Sequence, residues 1–145
     1  TGDTFGVSYR EFDVNGLEFV FPTTSPVQFD PEAAHASIDR IMDYQPRYAY
    51  LTHYSQVANL MHHAESMHYL IDAHVEIAQA ARHDKTNRQS VISEALSKLL
   101  LQRLSEHGCR LPQAELDELL SSDIRLNTLG LIHWLDHPAE RFKRL

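Results

Sequence analysis

Hydrophobic and polar positions follow two different rhythms along this chain, and the change falls near residue 54. Up to that point apolar residues alternate with polar ones, and four of the six prolines lie there. Val14-Asn15-Gly16-Leu17 is a hairpin signal, because Asn-Gly accepts the positive φ angles of a type I′ turn. Leu17-Glu18-Phe19-Val20-Phe21 reads as a strand, and Pro22-Thr23-Thr24-Ser25-Pro26 breaks it. Asp30-Pro31-Glu32 predicts a helix start, with Asp30 as N-cap and Pro31 in the first turn. Ala34, Ile38, Ile41 and Met42 form its apolar stripe, His35 falls on the solvated side, and Asp43-Tyr44-Gln45-Pro46 ends it. Arg47-Tyr48-Ala49-Tyr50-Leu51-Thr52-His53-Tyr54 then reads as a short buried strand delivering His53 at its C-terminal end.

From Ser55 onward the period is helical. Val57, Leu60, Met61, Ala64, Met67, Ile71, Val75 and Ala78 keep one face of a long helix to about Arg82, and Asp84-Lys85-Thr86-Asn87 breaks it. A second long helix is expected from an Asn87 cap to Gly108, with Val91, Ala95, Leu96, Leu99, Leu100 and Leu104 inward. A short helix from Pro112 to Leu120 and a last one from Asp123 to Trp134 complete the prediction. Gly130 inside that last helix costs about 1 kcal/mol relative to alanine, so close approach of a neighbour is its expected purpose. The pattern divides the chain into an α/β portion, residues 1–54, and a mainly helical region, residues 55–145, packing on it.

Composition narrows the function classes. A net charge of −7 and a pI near 5.7 argue against a nucleic-acid partner. The one basic cluster, Arg141, Lys143 and Arg144, reads as a solvated tail. No apolar run is long enough for a membrane span, and no signal peptide is visible. The single cysteine, Cys109, excludes an internal disulfide framework and fits a cytoplasmic location.

Ten histidines raise the question of metal. Glu65-Ser66-Met67-His68 places a carboxylate and an imidazole on one helix face, half of the pattern used twice in di-iron bundles, and no second copy follows. Asp72, four residues after His68, can equally hold that imidazole on a wet surface. A strand-end histidine such as His53 is by default a core or capping residue, and Gly2-Asp3-Thr4 by default an Asx-type turn.

Taken in order, Gly2-Asp3-Thr4, a strand, a helix and a second strand ending in Leu51-Thr52-His53 resemble the C-terminal half of metallo-β-lactamase-fold hydrolases. Leu126-Asn127-Thr128-Leu129-Gly130-Leu131-Ile132-His133-Trp134-Leu135 is similar to the terminal helix of one branch of that superfamily. The resemblance implies an αββα fold, of which this chain would hold part. It makes Asp3 the carboxylate that bridges two metal ions and orients the nucleophilic hydroxide, and His53 the last ligand of one ion. It implies zinc as cofactor, two ions in the complete protein, with iron or manganese as alternatives, and a metal-bound hydroxide attacking an ester, thioester or related carbonyl substrate. The family's His-x-His-x-Asp-His segment is absent, and adjacent His62-His63 do not replace it. The chain is therefore expected to be the C-terminal part of a longer hydrolase, inactive without its N-terminal half. Two alternatives stand beside this: a helix-borne metal binder at Glu65 and His68, and a non-catalytic module that homodimerises through its C-terminal helices along Leu99-Leu100-Leu101.

Overall fold

The computed structural model describes residues 1–26 and 28–138; the basic cluster at Arg141, Lys143 and Arg144 lies outside them. Helices dominate: α1 (Pro31–Asp43), α2 (Leu60–Ala80), α3 (Arg88–His107) and α4 (Gln113–Asp136). The only sheet among the described residues pairs β1 (Ala49–Tyr50) antiparallel with β2 (Gln56–Val57). The expected α/β architecture of the αββα type is thereby overturned. Residues 47–54 pair over two positions only, because the chain turns back on itself directly after Leu51, whose N–H is used by Ser55 O at 2.9 Å. Residues 17–21 form no ladder either. Leu17 bridges Val14 across the turn, and Phe21 bridges Val7.

Local signals fare better. Asn15 (φ 52°) and Gly16 (φ 77°) form the left-handed turn that Asn-Gly predicts. Asp30 caps α1, its Oδ1 accepting the Ala33 N–H at 3.1 Å, with Pro31 opening the helix. Gly108, at φ 95°, terminates α3. The two helices expected at the C-terminal end are one: α4 runs unbroken through Ser121-Ser122. Leu116, Leu120, Ile124, Asn127, Leu131 and Trp134 recur three or four residues apart, a continuous buried stripe that outweighs the weak propensity of two serines.

Two cores meet along a shared wall. Phe12, Phe19 and Phe21 pack with Leu70 and Ala78 of α2, with Ile92, Leu96, Leu100 and Leu104 of α3, and with Leu120, Leu131 and Trp134 of α4. Phe5, Val20, Ile38 of α1, Ala49, Leu51, Val57 and the Leu60, Ala64, Met67 and Ile71 side of α2 form the other. Phe19, Val20 and Phe21 thus alternate between cores with the period of a strand although no ladder holds them. Some inward assignments shift: Val91 and Met61 are exposed, and Ile92, His63 and His74 are buried in their helices. Leu100 is fully buried, and Leu99 and Leu101, partly buried, pack against the same core. No helix among the described residues is long and apolar enough to cross a membrane.

Candidate functional site

Asp3 sits in a tight turn closed by the Gly6 N–H donating to Asp3 O at 3.0 Å. Fully buried Phe5 pins that turn to the core. Gly6, at φ +83°, has no room for a side chain: a Cβ would stand 2.6 Å from Phe21 O and 2.9 Å from Met67 Sδ. His53 lies in the β1–β2 turn, flanked by buried Leu51 and by Tyr54. The Tyr54 hydroxyl donates to Asp13 Oδ2 at 2.7 Å, and the Arg10 guanidinium lies over the Tyr54 ring at 5.1 Å. Thr1 Oγ1 donates to Tyr50 O at 3.1 Å, fastening the first turn to β1.

These two anchored turns bring His53 Nε2 within 3.4 Å of Asp3 Oδ1. The side chains are 64% and 49% exposed, so as an ion pair they contribute under about 1 kcal/mol. The separation has a second meaning. Two donors on one tetrahedral zinc, each about 2.0–2.1 Å from the ion, lie roughly 3.3 Å apart. A carboxylate and an imidazole are suitable donors for zinc, iron or manganese. Among the described residues no three His, Cys, Asp or Glu side chains are grouped so as to hold a metal ion, so the pair is incomplete by itself.

Beside Asp3 a cleft of about 210 Å³ runs between Pro22, Thr23, Ser25, Gln28 and Phe29 and the start of α1. Its polar wall includes Asp3, Thr4, Thr23, Ser25 and Asp30, and its floor is Phe29, Met67 and Ile71. Thr23 and Ser25, read from sequence as ordinary turn residues, thus line the cleft, their hydroxyl oxygens 3.4 Å apart. Thr24 between them is fully buried: its N–H donates to Asn127 Oδ1 at 2.8 Å and its hydroxyl to Asn127 O at 2.9 Å. Asn127 Nδ2 in turn donates to Pro22 O at 3.0 Å. Gly130, one turn further along α4, allows this approach, since a Cβ there would meet Thr24 O at 1.5 Å. Close contact was the purpose expected of Gly130.

The histidine-rich helix behaves differently from a solvated one. His74 is fully buried; its Nδ1–H donates to Leu70 O at 2.7 Å, and burial pushes its pKa down to about 4. His63 is buried against Glu18, Nε2 to Oε2 at 3.3 Å, and desolvation outweighs the carboxylate in lowering its pKa. The Ala58 N–H occupies the other Glu18 oxygen at 3.2 Å. A cavity of about 310 Å³ lies alongside, lined also by His62, Arg103 and His107. Tyr9 donates to Asp123 Oδ2 at 2.7 Å; burial first, then that carboxylate, raise the phenol to about 12.

His35, expected to be solvated, is only 27% exposed and reaches across to α2. Its Nδ1 lies 2.6 Å from His68 Nδ1, and its Nε2 donates to Asp72 Oδ1 at 3.0 Å. His68 Nε2 donates to Asp39 Oδ1 at 3.1 Å. Both ring nitrogens of His68 are thus taken up by α1 residues, while Glu65 is exposed. The sequence carries a trace of this in His35-x-x-x-Asp39 and His68-x-x-x-Asp72, but the partners are crossed: each aspartate holds the other helix's histidine.

No model of a known protein family, no curated protein and no solved structure matches this chain.

Proposed function

We propose that the chain supplies Asp3 and His53 as two ligands of a hydrolytic metal centre, with the adjoining cleft receiving the substrate. The observation that carries the reading is the 3.4 Å approach of His53 Nε2 to Asp3 Oδ1, from turns 50 residues apart that are each fastened to the core. Exposed side chains that gain so little from pairing have no structural need to meet. The motif resemblance supports zinc, with iron or manganese as alternatives, and an ester, thioester or related carbonyl compound as substrate.

When bound, the metal lowers the pKa of a coordinated water towards about 7 and polarises the carbonyl. Asp3, anionic and with two oxygens, orients the attacking water and offsets the ion's charge. His53 contributes a neutral nitrogen, and the Tyr54 and Leu51 anchors on either side keep its turn in place. Thr4, Thr23 and Ser25 offer hydroxyl donors along the cleft to a substrate's polar end, and Phe29, Met67 and Ile71 a surface for its apolar end. Two donors do not hold a catalytic zinc, so the reading requires further ligands beyond Asp3 and His53.

In the complete protein, Asp3→Ala and His53→Ala should each lower bound zinc and ester or thioester turnover by orders of magnitude. Metal analysis and steady-state kinetics check this. Full activity and metal content in either variant would remove the ligand assignment.

A further inference from the structure

We propose that His35 of α1 and His68 of α2 form a second, separate binding site for a late first-row divalent metal ion, held between their Nδ1 atoms. The proposal does not rest on Asp3 and His53.

Proton counting comes first. Each imidazole donates its Nε2–H to a carboxylate, His35 to Asp72 and His68 to Asp39. In the neutral rings that leaves both Nδ1 atoms bearing lone pairs, pointed at one another 2.6 Å apart. The ring planes differ by 12° and the centroids stand 4.9 Å apart, so the rings meet nitrogen to nitrogen. Two lone pairs so placed repel unless a cation lies between them.

Charge then selects the cation. Asp39 and Asp72 place a carboxylate behind each ring, and a divalent ion between the rings is offset by both. A carboxylate on the distal nitrogen of each ring is also the outer shell that metal-bound histidines carry, fixing tautomer and ring orientation. Two imidazoles select zinc, nickel or copper(II) over calcium or magnesium. The nitrogens must part from 2.6 Å to roughly 3.3 Å for a tetrahedral ion, a shift within the reach of side-chain rotation at 27% and 32% exposure. Water reaches the site at that exposure and completes the coordination.

The test is calorimetric titration of the metal-free chain with zinc chloride at neutral pH. One equivalent should bind, at least tenfold more weakly in His35→Ala and His68→Ala and without change in His83→Ala, an exposed histidine outside both sites. Because the alanine variants could loosen the α1–α2 seam, Asp39→Asn/Asp72→Asn retains both imidazoles and should weaken zinc about 10–100-fold, with the same circular dichroism as the parent. Unchanged zinc binding in His68→Ala, or binding lost in Asp3→Ala alone, would overturn the proposal. So would a parent chain that takes up no zinc while nitrogen NMR shows one proton shared between the two rings.

Discussion

At the scale of single residues, His74 carries a consequence that its sequence position does not advertise. It is fully buried in α2, its pKa is lowered to about 4, and its Nε2 has no partner among the described residues. The folded state therefore keeps His74 neutral at a pH where the unfolded chain, with a histidine pKa near 6.5, takes up a proton. The stabilising difference is fully present above about pH 6.5, and it is lost as pH falls from there towards about 4. Over that window it amounts to about 3 kcal/mol. Urea unfolding at pH 7 and pH 5 should show stability falling in the parent and falling much less in His74→Leu; an equal drop in both would place the pH dependence elsewhere. His63, also buried, adds to the same trend in direction. Helical spacing assigned the face of Ala64, Met67 and Ile71 correctly, but it is blind to a histidine whose ring nitrogen bonds its own helix, because polarity alone sends such a residue outward. His35 was hidden for a different reason: its partners lie 33 and 37 residues away on another helix. The 3.4 Å approach of His53 to Asp3 was not legible from spacing, because the two turns lie 50 residues apart.

At the scale of elements, the caps were legible and the strands were not. Asp30, Pro31, Asn15-Gly16 and Gly108 act through their own backbone angles and nearest amides, information that is local to a few residues. A strand needs a neighbour, and the alternation in residues 17–21 and 47–54 says nothing about whether a neighbour arrives. Phe19, Val20 and Phe21 of one segment and Ala49 and Leu51 of the other are buried, Leu17, Tyr48 and Tyr50 are exposed, and the segments pair over one or two positions. The α4 helix shows the same point from the other side, since a stripe continued across two serines was worth more than the propensity of the serines themselves. Gly130→Ala tests the tightest element contact. Its Cβ would have to displace the backbone at Thr24, so α4 must move away from the 22–26 loop. The expected loss is about 3 kcal/mol or more, a size reserved for overpacking and broken buried hydrogen bonds, measured by thermal or urea unfolding. A loss within about 0.5 kcal/mol would mean that the loop moves freely.

For the whole molecule, the wall between the two cores decides how it comes apart. The α2 helix and residues 19–21 send alternate side chains into both cores, so neither core can lose its packing without exposing the other's. Unfolding is expected to be a single cooperative step. Trp134, the only tryptophan, reports on one core, and far-UV circular dichroism reports on all four helices. Their denaturation curves should coincide, and Leu100→Ala, deep in one core, should shift both together by about 2–5 kcal/mol. Separate midpoints would show that the cores melt independently.

The fastening of the 22–26 loop to Asn127 bears on how the cleft could change over evolutionary time. Asn127 holds the loop by the carbonyl of Pro22 and the amide of Thr24, groups that every substitution at those positions other than to proline retains. Thr23 and Ser25, on either side of the anchored residue, are the ones that face the cleft. Mutations there can alter what the cleft admits without disturbing the attachment that shapes it, which makes this loop a place where selectivity can drift while the scaffold stays the same.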